Sequence, residues 1–155
     1  MNSARLFFLT LLCAMPAIAA DATPAAMAMV ENLRLGENIS GMSYRFAART
    51  MAYRSIVRSV GLDEAAVIVK EEIRRIRPKY QARWDRNLAA AYAESFAPNE
   101  LESIAVMGRA SPYAGKLSAM RNEVGRSMQE KSTGLLNEIL TEALKAALAR
   151  VPPKK

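Results

Sequence analysis

The sequence predicts an all-α fold, a single-domain helical bundle of about five to six helices that ends in a long C-terminal helix. Apolar residues recur at helical spacing along the chain, and no run alternates with period two. Ala, Leu, Arg, Met and Glu dominate, while glycine occurs only 7 times in 155 residues. Glycines and prolines stand mostly between apolar runs, where helices stop and start. No linker divides the chain and no repeat unit recurs, so residues 20–151 are expected to form one domain.

The first segment stands apart from the rest. Arg5 gives a positive start, Leu6 to Met15 form a short apolar run, and Pro16-Ala17-Ile18-Ala19 ends in small residues. That is the layout of a secretory signal peptide over residues 1–19, with cleavage expected after Ala19 and a periplasmic destination. A lipoprotein would instead be cut before Cys13, but Leu12 occupies the position where that processing wants a small side chain. No later run reaches the length of a membrane helix.

Thr23-Pro24 reads as a cap followed by a first-turn proline, opening a short helix that fades near Leu35-Gly36. A second helix is expected from Asn38 to Val60, with Ile39, Met42, Phe46, Tyr53, Ile56, Val57 and Val60 on its apolar face. Gly61-Leu62-Asp63 stops it and caps a third, which carries Ala65, Ile68, Val69, Ile73 and Ile76. Pro78 should break or kink that helix, because its ring clashes with the preceding turn and it lacks a donor. Beyond it, Tyr80, Trp84, Leu88 and Ala91 line one side, with Tyr92 and Phe96 close by. Pro98 starts a short helix, Asn99 to Met107, that stops at Gly108. Ser111 then caps, and Pro112 opens, a helix running to about Ala149. Gly125 and Gly134 inside it suggest close packing, a bend or a tolerated weak point. The tail 152–155 is expected to fray.

Chemistry is hard to find in this chain. It contains no histidine, and its one cysteine, Cys13, falls in the expected signal peptide. A mature chain would therefore lack a disulfide, a thiol nucleophile and an imidazole base. No Ser-x-x-Lys spacing occurs to supply a lysine base. Acids are scattered singly except for Asp63-Glu64 and Glu71-Glu72, so no metal set is expected, and Met27 and Met29 read as packing residues. No glycine-rich phosphate loop is present. The expectation is a non-enzymatic protein with no catalytic residues, no cofactor and no metal.

Tyr92, Phe96, Glu100-Leu101, Ser111-Pro112, Gly115 and Lys116 together resemble a family of exported bacterial proteins called domain of unknown function 2059. Its signature is a tyrosine, then Phe-Thr-x-x-Glu-Leu, a short apolar helix, and Ser-Pro-x-Gly-x-Lys. This chain departs from it in three places. Ala97 replaces the capping threonine, the stretch to Ser111 is one residue longer, and Gly115 sits one place late. The resemblance implies an all-α fold and an envelope location, and it carries no activity and no catalytic residue.

The chain has a formal net charge of +7, and residues 1–19 contribute only Arg5 to it. Nucleic acid is not the expected partner, since no aromatic-basic platform is visible. The leading expectation is an envelope protein-interaction module that binds another protein or itself. The alternative is an envelope-ligand binder. It would hold an anionic polymer or surface on the basic stretch 70–86, which has seven cations against three acids, or an apolar or lipid ligand along the seam Tyr80, Trp84, Tyr92 and Phe96. Arg49 and Glu72 each fall in an apolar stripe, and hairpin register puts them at one level, so they are expected to pair across the helix interface, with Glu71 as the other possible partner.

Overall fold

A computed structural model describes residues 22–152. The expected signal peptide, its cut after Ala19, Cys13 and the last three residues of the tail lie outside the described residues. The fold is an all-α single domain, built from seven helices among the described residues: α1 (Pro24–Asn32), α2 (Ile39–Ala47), α3 (Met51–Val60), α4 (Leu62–Ala93), α5 (Pro98–Met107), α6 (Ala114–Ala119) and α7 (Arg121–Arg150). Short 3-10 turns at Leu35–Asn38 and Gly108–Ala110 link α1 to α2 and α5 to α6.

The two long helices, α4 and α7, lie antiparallel and form the frame. Ile76, Tyr80 and Leu88 of α4 and Leu135, Ile139, Ala143 and Ala147 of α7 are all buried. Polar side chains rivet the edges of this apolar strip. Arg150 reaches Glu71 at 2.9 Å and Glu72 at 3.0 Å, and Lys79 and the Tyr80 hydroxyl both donate to Glu142. Arg83 grips Glu138 with two bonds of 2.7 and 3.0 Å, and Ser127 donates to Glu94. From pair to pair, one helix advances by as many residues as the other retreats, so a single register holds over the whole contact. Three of the seven cations in 70–86 (Arg75, Lys79 and Arg83) are thus spent on carboxylates of this chain.

Around the frame, α1 packs on α5 and α4, α2 on α4, and α3 on α4 and α7. Gly36 meets α4 so closely that a Cβ there would fall 1.7 Å from Asp85 Oδ1. Gly61 turns the chain from α3 into α4 with φ at +87°, a conformation that glycine adopts without the steric cost other residues meet.

Three helix boundaries differ from expectation. The expected helix Asn38–Val60 breaks at residues 48–50, because Thr50 leaves the helical basin and caps α3. Its hydroxyl accepts from Tyr53 N at 3.1 Å and donates to Ala47 O at 2.7 Å. The last helix starts at Arg121 instead of Pro112. At Met120 ψ is 3°, which bends α6 away from the axis of α7, and the Ser111 hydroxyl caps a turn through Tyr113 N, not a helix. Pro78 does not interrupt α4. Its ring lies on the exposed face, so water can satisfy the carbonyl that its missing N–H leaves without a partner.

The break at 48–50 also removes the expected Arg49–Glu72 pair. The phase of the stripe is reset there, Arg49 lies exposed in the joint, and it makes no ion pair among the described residues. Glu72 is buried as expected, but its carboxylate takes Arg75 Nε at 2.8 Å and Arg150 at 3.0 Å. Burial pushes this carboxyl up, and the two guanidiniums outweigh burial and hold it below the usual range. Glu94 is held down by Lys131 and Ser127, Glu138 by Arg83, and Glu142 by Lys79 and Tyr80.

Two outcomes follow. Thr50→Ala should cost about 1 kcal/mol in urea unfolding, the usual loss for a threonine cap. Carboxylates whose folded pKa lies below the unfolded value stabilise the fold above the unfolded value of about 4.3 and lose that contribution as pH falls through the lowered one. Thermal midpoints should therefore hold between neutral pH and about pH 5 and drop below about pH 4. Glu72→Gln should make that drop shallower.

Candidate functional site

The expected aromatic seam divides into a core half and a cleft half. Tyr80 and Phe96 are buried in the core. Trp84 is 2% exposed, with its indole N–H donating to Asn38 Oδ1 at 3.0 Å. Core burial is thus the main role of the seam, but Trp84 and Tyr92 also line an open cleft of about 880 Å³. Trp84, Leu88 and Tyr92 stand on successive turns of α4 and form one wall. Facing them on α7 are Val124, Gly125, Met128, Ser132 and Leu136, while Met42 and Phe46 of α2, Leu33 and Leu35 after α1, and Ala114, Leu117 and Ser118 of α6 complete the lining.

The antiparallel register gives the cleft two unlike ends. Trp84 and Leu136 lie together at one end, and Tyr92 lies toward the start of α7, where Arg121 stands. Burial pushes the Tyr92 phenol up, and the Arg121 charge opposes that shift. Arg109, from the 3-10 turn before α6, also belongs to the lining, and among the described residues no carboxylate does. Polar groups in the interior are few. The Ser132 hydroxyl is occupied by Met128 Sδ at 3.4 Å and by Asn87, which donates to it at 3.1 Å.

The motif residues build the joint that carries α5 and α6 to this place. Glu100 Oε2 accepts from Ala97 N at 2.9 Å, which is half of a capping box, since alanine has no oxygen to return the bond. The same oxygen takes Lys116 Nζ at 2.5 Å, and that bond is the main cause that holds the Glu100 carboxyl down. Lys116 also sits 4.7 Å from the centre of the Phe96 ring, which packs at a tilt on Tyr92. Leu101 is fully buried, and the Ser111 and Ser103 hydroxyls share a bond of 2.9 Å. Pro112 and Gly115 are exposed in the turn before α6 and in its first turn. These residues are brought together as a structural clasp.

Sequence reading missed Phe46, Arg109, Arg121 and Gly125 as cleft residues. Phe46 was placed on a core stripe, yet it is 38% exposed at the rim. Of close packing, a bend and a tolerated weak point, the readings open for Gly125 and Gly134, close packing is excluded, since a Cβ added at either would meet nothing within 4 Å. A glycine in mid-helix, at a cost of about 1 kcal/mol relative to alanine, is the signal the sequence offers at Gly125. Among the described residues, no group of three or more His, Cys, Asp or Glu is placed to hold a metal ion. No helix of the described residues is long and apolar enough to cross a membrane.

Comparison of the chain with protein-family models, with curated proteins and with solved structures finds no match.

Trp84 reports on this site directly. Its emission should be blue-shifted and iodide should quench it weakly. Trp84→Ala should cost about 3–5 kcal/mol, the range for removing a large core aromatic. Emission at long wavelength with free quenching would contradict the described burial.

Proposed function

We propose that this is a non-enzymatic binding protein of the cell envelope, exported through its amino-terminal segment, that holds an apolar guest in the cleft between α2, α4, α6 and α7. The cleft carries the reading. Its volume of about 880 Å³ lies within the span typical of small-molecule sites, and its walls are mostly aliphatic and aromatic. Export rests on the layout of residues 1–19. No reaction is assigned, since the lining offers no base to activate its hydroxyls, and Ser132 is already bonded on both sides.

A second reading puts an amphipathic helix of a partner protein in the same groove, and the exposed edge of Phe46 at the rim favours it. The two readings differ in the size of the occupant. The basic stretch 70–86 has weaker support as an anionic-surface contact, because Arg75, Lys79 and Arg83 already pair within the chain.

N-phenyl-1-naphthylamine, a neutral dye that brightens in apolar surroundings, tests the small-guest reading. Its fluorescence should rise and saturate at one dye per protein. Gly125→Leu projects a side chain into open space within the cleft and should weaken binding at least tenfold, an order-of-magnitude expectation for a blocked site. The same change replaces a mid-helix glycine, so stability should rise by up to about 1 kcal/mol. Dye binding that this substitution leaves unaltered would place the guest elsewhere.

A further inference from the structure

The cleft is polarised, and its polarity points to the chemistry of the guest. Among the described residues only two charged side chains line it, Arg109 and Arg121, and both are cationic. Every other strong cation–carboxylate contact near α6 is internal: Lys116 is taken by Glu100, and Arg126 by Glu123. Arg109 and Arg121 flank α6 in sequence, are exposed, and enter no ion pair among the described residues. Trp84 and Leu136 line the other end of the lane. From Arg121 to Leu136, α7 rises by roughly 22 Å at 1.5 Å per residue. That length accommodates one extended alkyl chain with a charged head at the Arg121 end.

We infer that the guest is a long-chain carboxylate of the fatty-acid type, its alkyl chain lying along Leu88, Met128 and Leu136, its head group met by Arg121, and its negative charge favoured by Arg109, the other cation of the lining. This rests on the small-guest reading of the cleft and adds the sign and number of the guest's charged ends. A guanidinium presents a planar fork of donors that matches a carboxylate in two-point contact, which a neutral alcohol cannot exploit. A cationic head would meet two like charges with no acid to offset them. Both arginines are exposed, so the preference should weaken as salt is raised.

Dodecanoate, dodecan-1-ol and dodecyltrimethylammonium share one alkyl chain and differ only in the head. Each is titrated against the full chain, with displacement of N-phenyl-1-naphthylamine as the readout, beside the double variant Arg109→Gln/Arg121→Gln. Circular dichroism checks that the variant is folded, and since neither arginine is paired it should be. Dodecanoate should bind about tenfold more tightly than the alcohol and the ammonium least tightly, an advantage in the range of charge-assisted hydrogen bonds. The double variant should bring the three affinities together while dye binding persists. Equal binding of all three to the unaltered protein would overturn the carboxylate inference and leave the cleft reading standing. Failure of dye and all three probes would overturn both. Arginine-dependent binding to phosphatidylglycerol vesicles without dodecanoate displacement would overturn the inference in favour of a bilayer surface. A dimer in sedimentation that admits no probe would show that a second copy fills the cleft, and would overturn both readings.

Discussion

The antiparallel pairing of α4 with α7 is the constraint on which the remaining structure depends. Its apolar strip supplies burial, and its flanking pairs share one register along the two helices. Arg83 with Glu138 and Lys79 with Glu142 are partly exposed pairs, so each adds little stability by itself. Because Arg75, Lys79 and Arg83 recur every four residues on α4 and Glu138 and Glu142 lie four apart on α7, a slip of one turn would bring Lys79 to Glu138 and Arg75 to Glu142, so these pairs alone do not exclude a slipped alignment. Against this frame α1, α2 and α5 pack from the other sides, and α6 hangs from the clasp of Phe96, Glu100 and Lys116. The cleft is the place where the frame is not filled: α6 departs from the axis of α7 at Met120, and Gly125 offers no side chain to close the gap.

Much of this was readable from residue order. Stripes of apolar residues at three- and four-residue spacing picked out Ile68, Val69, Ile73, Ile76, Tyr80, Trp84 and Leu88 as core residues, and all are buried. Pro98 and Gly108 bounded α5 as expected, since a proline at the start and a glycine at the end act through local geometry. What failed was continuity. The break before α3 depends on one hydroxyl, at Thr50, turning back on its own backbone, and periodicity is blind to a residue that can sit either in a helix or at its cap. At Met120 the chain departs from a helix by one dihedral angle, so the spacing of Leu117, Met120 and Val124 looks unbroken. Pro78 erred in the other direction. A proline is costly inside a helix chiefly where the lost bond is buried, and exposure cannot be read from one residue's identity.

The pair expected between Arg49 and Glu72 shows how a local error propagates. Glu72 was correctly singled out as an acid in an apolar stripe. Its partner is then assigned by counting residues through a helix that does not exist as one piece, while the carboxylate is shared by Arg75, one turn along α4, and Arg150, 78 positions further along the chain. Hairpin counting cannot reach so far. The motif residues were legible in a different sense. They belong together, but their bonds serve the path of the backbone, and the cleft that they help to hold open is lined mostly by residues outside the motif.

The sequence distance between α4 and α7 also governs when the core can close. As the chain is synthesised, α1 to α5 are available early, yet the apolar face of α4 that meets Leu135, Ile139 and Ala143 has no cover until the last helix exists. Contacts of such wide separation are slow to form, and the surface awaiting them is exposed to wrong partners in the interval. A nascent chain of this protein is therefore a loosely closed set of helices until α7 is made, and commitment to the native topology falls to the thirty residues of that helix.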